Sequence, residues 1–292
     1  MIDIAHKIAF SIVKKSKKPF NASDFPNYEQ RRLRENCFIK KVPENIKCTS
    51  FGKHGEYIES EDNPKDKVIL YIHGGGFVSG SAEMKRDFTF YLAKKVGYNV
   101  FSANYSLAPE NPFPKPLEDC YEIYKMLLTE YQANNIYLLG ESAGGNLVLA
   151  TILLANQKNL QMPMGCVLIS PTVQYVDMLP SYFKNEKSDC MLDRTFIDEV
   201  RATYLKKETD YANPLISPLY ADYTGFPKSL IICSDSEFLF DDSKLLHKKM
   251  LSFDCESDIK VYSNMMHAFA MIPSFKNSKL AIDEMKKFFN KR

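Results

Sequence analysis

Ser142 sits inside Gly140-Glu141-Ser142-Ala143-Gly144-Gly145, and a second glycine cluster, His73-Gly74-Gly75-Gly76-Phe77, precedes it along the chain. Together the two clusters hold six of the twelve glycines. Each follows an apolar run, Ile136-Tyr137-Leu138-Leu139 in one case and Val68-Ile69-Leu70-Tyr71-Ile72 in the other, and each precedes a helical pattern. A serine between glycines at a strand-to-helix junction occupies a turn too sharp for larger neighbours, so its hydroxyl projects above the sheet. A glycine run after the earlier strand can present bare backbone N–H groups, the raw material of an oxyanion hole. The chemistry this pattern suits is nucleophilic acyl transfer at Ser142.

A serine hydroxyl needs a base, and the base needs an orienting carboxylate. The chain has five histidines, at positions 6, 54, 73, 247 and 267. His6 and His54 precede the core strands, and His247 lies among lysines in a helical stretch. His73 is better placed to brace the glycine loop than to reach Ser142. His267 follows the Ile259–Tyr262 strand pattern, where a general base belongs at the sheet's carboxyl edge. For the acid, the loop after Leu230-Ile231-Ile232-Cys233 offers Asp235, Glu237, Asp241 and Asp242. Asp241 and Asp242 suit the start of the next helix. Asp235 lies close to the strand end, and Glu237 has more reach. Glu141 adjoins the nucleophile but points away from it at such a turn and reads as support. Phe77, Met265 and Met266 either line the site or pack beside it.

The elements that must position these groups alternate from about residue 46. Strand patterns run over Glu56–Ser60, Val68–Ile72, Tyr98–Ala103, Ile136–Leu139, Val167–Ile169, Leu230–Cys233 and Ile259–Tyr262. Helical patterns cover Met84–Val96, Leu117–Tyr131 and Asn146–Asn156, with further helices from about Asp242 and Lys279. Asn146–Asn156 is apolar all round, as a buried helix should be. Such alternation implies an α/β fold with a mostly parallel sheet covered on both faces. Residues 1–45 and 176–211 break the alternation. Both suit cap segments beside the carboxyl ends of the strands, Phe196, Val200 and Tyr204 sharing a helical face in the second.

The chain resembles the hormone-sensitive-lipase-like branch of the α/β-hydrolase esterases over roughly residues 45–290. The resemblance rests on Tyr71-Ile72-His73-Gly74-Gly75-Gly76-Phe77, Asn104-Tyr105-Ser106-Leu107-Ala108-Pro109-Glu110, Pro112-Phe113-Pro114, Gly140–Asn146 and His267-Ala268-Phe269. It implies a single α/β-hydrolase domain over 1–292, with Ser142 as nucleophile and His267 as base. It also implies an oxyanion hole from the amides of Gly75, Gly76 and Ala143, with Gly74 letting that loop turn. The family usually carries Asp-Pro in the acid loop; here Glu237 falls where that aspartate would stand, with Asp235 the alternative. The implied activity is hydrolysis of small, uncharged carboxylic esters with short- to medium-chain acyl groups. No metal or cofactor is implied. A homodimer through the edge of the last strand is a partner option that the family leaves open.

Composition bounds the rest. The 292 residues, 45% hydrophobic, are enough for a full core, and a net charge of +2 points to no nucleic-acid or acidic partner. Seven cysteines without C-x-x-C spacing suggest neither a disulfide framework nor a zinc site and fit a reducing cytoplasm. Near the N-terminus Ile4, Ile8 and Ile12 form an apolar stripe interrupted by His6 and Lys7. It is too short to span a bilayer and carries no signal-cleavage pattern, so a helix packed on its own protein is expected. Lysines 14, 15, 17 and 18 are the feature that would favour a membrane surface instead. Two rival functions remain: an amide or peptide hydrolase with the same triad, and a hydrolase-fold binder without turnover. Peptidases of this kind usually need a second large domain, and such binders usually lack a triad member.

Overall fold

The structure is a computed structural model, and it describes residues 4–17, 27–35, 39–206 and 210–291. Lys18 and parts of both proposed cap segments lie outside the described residues.

In chain order the strands are β1 Ile46–Ser50, β2 Gly55–Ser60, β3 Val68–Ile72, β4 Asn99–Ala103, β5 Ile136–Glu141, β6 Gly165–Ile169, β7 Lys228–Ser234 and β8 Ser257–Tyr262. The helices are α1 Ile4–Ser16, α2 Tyr28–Glu35, α3 Arg86–Val96, α4 Lys115–Glu130, α5 Ala143–Gln157, α6 Pro180–Lys184, α7 Thr195–Val200, α8 Phe240–Leu251 and α9 Lys276–Asn290. One sheet runs in the order β1-β2-β4-β3-β5-β6-β7-β8. β1 pairs antiparallel with β2 and β2 with β4, and every pairing beyond is parallel. β3, β4, β5 and β6 are buried along their whole length, so their runs are mostly apolar without a regular polar alternation, and Asn99, Ser102 and Glu141 are buried with them.

Successive residues of each strand feed different cores. Val68, Leu70 and Ile72 of β3 join Leu138 of β5 against α4, α5 and α8. Ile69 and Tyr71 join Leu139 against α3 and α9. The two layers of helix thus follow from the period of two along each strand. α5 lies under the carboxyl ends of β3 and β5 and is buried at nearly every position, which accounts for its apolar circumference.

Several elements start or fall differently from the pattern, β1, α5 and α8 for identifiable reasons. β1 lies in a stretch with no strand pattern because only Ile46 and partly Cys48 turn inward from this outermost antiparallel strand. α5 starts at Ala143, three residues before Asn146, because the turn from β5 leads straight into it. α8 starts at Phe240, two residues before Asp242; Asp241 and Asp242 lie in its first turn and cap neighbouring segments instead of their own helix.

The segments outside the alternation meet one another. Tyr28 of α2 donates its hydroxyl to Glu199 of α7 at 2.9 Å. Arg32 donates to the carbonyls of Val78 and Ala108 and pairs with Glu110 at 2.9 Å, which seats α2 beside the glycine loop. The Phe196–Val200–Tyr204 face is buried, although the helix changes to a π turn over Arg201–Leu205.

Candidate active site

Ser142 lies between β5 and α5 with φ 55° and ψ −120°, a conformation that an L-residue adopts only when its surroundings impose it. The surroundings do so by contact. A Cβ on Gly144 would stand 2.1 Å from the Ile72 carbonyl oxygen, and one on Gly140 would stand 2.4 Å from the Gly144 carbonyl oxygen. The Ser142 N–H donates to the Ile169 carbonyl at 2.9 Å, and the Ser142 carbonyl accepts from Thr172 at 3.3 Å. Strain gathers here: among the described residues, Phe77, Ser142, Ser170 and Ala268 are four of the eight non-glycine residues with positive φ.

The glycine loop abuts the serine. A Cβ on Gly74 would meet the Glu141 carbonyl oxygen at 2.6 Å and the Ser142 Cβ at 3.2 Å. Gly75, at φ +118°, offers its carbonyl to the amides of Val78 and Ser79, which folds the loop back on itself. Among the described residues neither the Gly75 nor the Gly76 amide donates to a protein group. Ala143 is the first residue of α5, where an amide has no intrahelical acceptor.

The family-like Asn104–Glu110 run backs this loop. The Tyr105 ring stacks on His73 at 4.3 Å, its hydroxyl donates to the His73 carbonyl at 2.8 Å, and the Ala108 amide donates to the Phe77 carbonyl at 2.9 Å. His73 is buried with Nδ1 on the Gly74 carbonyl at 2.8 Å, and burial pushes its pKa down to about 4. A neutral imidazole of that kind braces the loop, as its position in the sequence suggests. Glu141 accepts from the Tyr71 hydroxyl at 2.7 Å and pairs with Lys85 at 2.8 Å, a supporting role. Phe77 is fully buried and stacked on Tyr204 at 3.9 Å, and Met265 and Met266 pack into the α3–α9 core. All three are packing residues here.

His267 and Glu237 come together from the loops after β8 and β7. His267 Nδ1 stands 2.9 Å from Glu237 Oε2, and Glu237 Oε1 accepts the Ser234 amide at 2.9 Å. Both side chains are buried, Glu237 completely. The carboxylate is an acceptor only, so Nδ1 carries the proton and Nε2 is left with its lone pair. Burial opposes a charge on this imidazole, but the bond to Glu237 and its charge outweigh burial. The pKa of His267 is therefore raised above the ordinary histidine value. The same β6 turn holds both His267 and Ser142, since Ala268 donates to the Ser170 hydroxyl at 3.2 Å and Ser142 donates to Ile169.

The other acids do not meet His267. Asp235 accepts the Asn264 amide at 3.0 Å and the Ser236 hydroxyl at 2.7 Å, tying the two loops together. Asp241 accepts the Ser181 amide at 2.8 Å. Asp242, fully buried, accepts the Val173 amide at 3.0 Å and the Tyr182 hydroxyl at 2.8 Å, with burial raising its pKa to about 7. His54 lies in a short 3-10 turn, and His247 is half-buried on Ser257 at 2.9 Å. Among the described residues no group of three or more His, Cys, Asp or Glu side chains could hold a metal ion.

Four residues outside the sequence-derived set support the acid loop. Asn185 donates to the carbonyls of Asp235 and Glu237 at 3.0 and 2.8 Å. The hydroxyls of Ser181 and Ser188 donate to Phe238 and Ser236, and Asp189 accepts the Phe238 amide at 2.8 Å. His6 is a fifth, on the base loop, accepting the Met266 amide at 3.0 Å. Each is an ordinary polar residue far away in sequence, and nothing in local spacing marks it.

A family model for the alpha/beta hydrolase fold matches residues 69–271. An esterase of Acinetobacter venetianus is 31% identical over 239 residues, spanning 81% of this chain and 78% of its own length. An acetyl-hydrolase of Streptomyces hygroscopicus is 29% identical over 70% of this chain and 68% of its own. Among solved structures, a hormone-sensitive lipase from a metagenome library matches with a TM-score of 0.89 at 31% identity, covering 97% of this chain and 96% of that one. An esterase from the bacterial hormone-sensitive lipase family matches with a TM-score of 0.89 at 29% identity over 99% and 98%.

Proposed function

This chain belongs to the α/β-hydrolase fold family, and we propose that it hydrolyses short- to medium-chain carboxylic esters through an acyl-enzyme on Ser142. It is a carboxylic ester hydrolase, in keeping with the esterase relatives that span most of its length. The observation that carries the choice of residues is the buried Glu237–His267 pair, hung on the same turn as Ser142.

In this reading His267 Nε2 takes the Ser142 proton as Oγ attacks the ester carbonyl. Glu237 fixes the imidazole tautomer and stabilises its charged form. The amides of Gly75, Gly76 and Ala143, with Gly74 allowing the close approach, receive the oxyanion. Losing one such donor costs on the order of 3 kcal/mol in the transition state. His267 returns the proton to the leaving alcohol, and water then releases the acid by the same groups. The described parts of the segments 1–45 and 176–211 form a cap beside this site and set acyl length.

No helix among the described residues is long and apolar enough to cross a membrane. The six described cysteines are all unpaired, which supports the expected reducing cytoplasm. The open β8 edge, with Val261 and Leu280 exposed near it, suits the homodimer option.

The test is hydrolysis of p-nitrophenyl esters from acetyl to palmitoyl by wild type and Ser142→Ala. Activity on the short chains, absent from the variant, is the expected outcome. Activity that survives the substitution would show that Ser142 is not the nucleophile, and an active enzyme that prefers palmitoyl would overturn the chain-length reading.

A further inference from the structure

His6 is buried at 2% exposure in a helix whose neighbouring Ala5, Lys7 and Ile8 are open to solvent. Its Nε2 accepts the Met266 amide at 3.0 Å, and its ring stands edge-on to Phe275 at 5.1 Å. An imidazole nitrogen that accepts an N–H carries no proton, so His6 is neutral in this contact. Met266 immediately precedes His267, and its amide belongs to the peptide chain from which the base starts.

The other end of the same segment reaches the acid. Lys17, just past α1, donates to the carbonyls of Asp189 at 3.3 Å and of Leu192, and its ammonium stands 3.6 Å from the Asp193 carboxylate. The Asp189 carboxylate accepts the Phe238 amide, next to Glu237. One short N-terminal segment therefore touches the loop that carries His267 directly and reaches the loop that carries Glu237 through Asp189, although those loops leave different strands.

We propose that α1 is a strap that positions the acid–base pair, with His6 as its positioning residue: the neutral imidazole holds the Met266 amide, and so sets the direction in which His267 Nε2 points. The proposal rests on the triad reading above. An unpartnered buried amide is costly, so without the acceptor the loop must rearrange to find one. Small displacements of a general base are enough to slow chemistry while leaving substrate binding unchanged.

Two substitutions separate this role from plain packing. Gln places a carbonyl oxygen near the position of Nε2 but gives up the ring, whereas Phe keeps the ring and gives up the acceptor. The strap predicts that His6→Phe lowers kcat about tenfold with KM little changed, while His6→Gln keeps most of kcat. Packing alone predicts the reverse order. The rate at which a fluorophosphonate labels Ser142 should follow the same order, and it needs no choice of ester. His6→Met takes the place of the phenylalanine variant if that one does not fold. Phe or Met variants equal to wild type in both assays, or a loss confined to KM, overturn the strap while the triad stands. A wild type that neither turns over esters nor labels at Ser142 sinks the triad reading and the strap with it.

Discussion

The two halves of the site are held by different means. Around Ser142 the constraint is backbone against backbone: added Cβ atoms on Gly74, Gly75, Gly140 and Gly144 would all stand within 2.6 Å of a carbonyl oxygen. The loops carrying Glu237 and His267 contain no glycine from Ser234 to Asp242 or from Ser263 to Phe275. They are tied instead by side chains from elsewhere: Ser181, Asn185, Ser188 and Asp189 on the acid loop, His6 on the base loop. Close-packed backbone cannot give by degrees, whereas hydrogen bonds from side chains can be removed one at a time. The Ser142 half should therefore fail all at once and the Glu237–His267 half in graded steps.

The sharpest test of that contrast is Gly144→Ala. Its Cβ would stand 2.1 Å from the Ile72 oxygen, in the middle of the sheet, and no side chain can move to make room. We expect a loss of at least about 4 kcal/mol of stability, seen as a fall in Tm on the order of 10 °C or as failure to express folded. A variant with wild-type Tm would break the comparison. Next comes Glu237→Gln. Glu237 accepts two N–H donors, Ser234 and His267, and an amide has only one oxygen for them. One donor then faces an NH2 group, and kcat should fall on the order of a thousandfold or more with the fold retained. Asn185→Ala, which removes two donors from the acid loop but leaves the triad chemistry intact, should lower kcat only about tenfold; steady-state kinetics beside a thermal melt would place it on this scale. A loss as deep as that of Glu237→Gln would mean the acid loop is not adjustable after all.

The same contrast explains what could be read from the chain. Backbone crowding is written locally as glycine, so Gly74, Gly75, Gly140 and Gly144 announce the Ser142 half in a few adjacent letters. Buried parallel strands announce themselves as unbroken apolar runs, and most of the sheet follows from them. Partners through space leave no such trace. Asn185 meets Glu237 from 52 positions away and His6 meets Met266 from 260. His6 in particular lies in a segment whose sequence signals are a run of lysines and an isoleucine stripe, and that stripe faces solvent while His6 makes the inward contact. β1 leaves no signal for a related reason: a strand with little buried surface has no strong pattern to offer. Spacing alone does not separate Asp235 from Glu237, because both lie within reach of the strand end. The contacts separate them, since one carboxylate has His267 as its partner and the other has the Asn264 amide.

That difference between two nearby carboxylates yields the smallest expected effect and the most discriminating one. Partial burial would raise the pKa of Asp235, but the Asn264 amide and the Ser236 hydroxyl outweigh it and hold the group below its usual range. The oxygen of an asparagine can accept the same two donors, so Asp235→Asn should change kcat by less than about threefold. The pH profile adds a sign. In the proposed triad His267 must be neutral to act as base; burial opposes its charge, and the bond to Glu237 and its charge, with Asp189 and Glu141 contributing, raise its pKa. Activity should therefore rise with pH through a value above the ordinary 6.5 or so of histidine. Removing the Glu237 charge takes away the main force that raises the pKa, so in Glu237→Gln the residual activity should persist to lower pH than in wild type. Asp235→Asn should leave that acid limb where it is. If the limb moves with Asp235 and stays with Glu237, the two carboxylates have exchanged roles in the working enzyme.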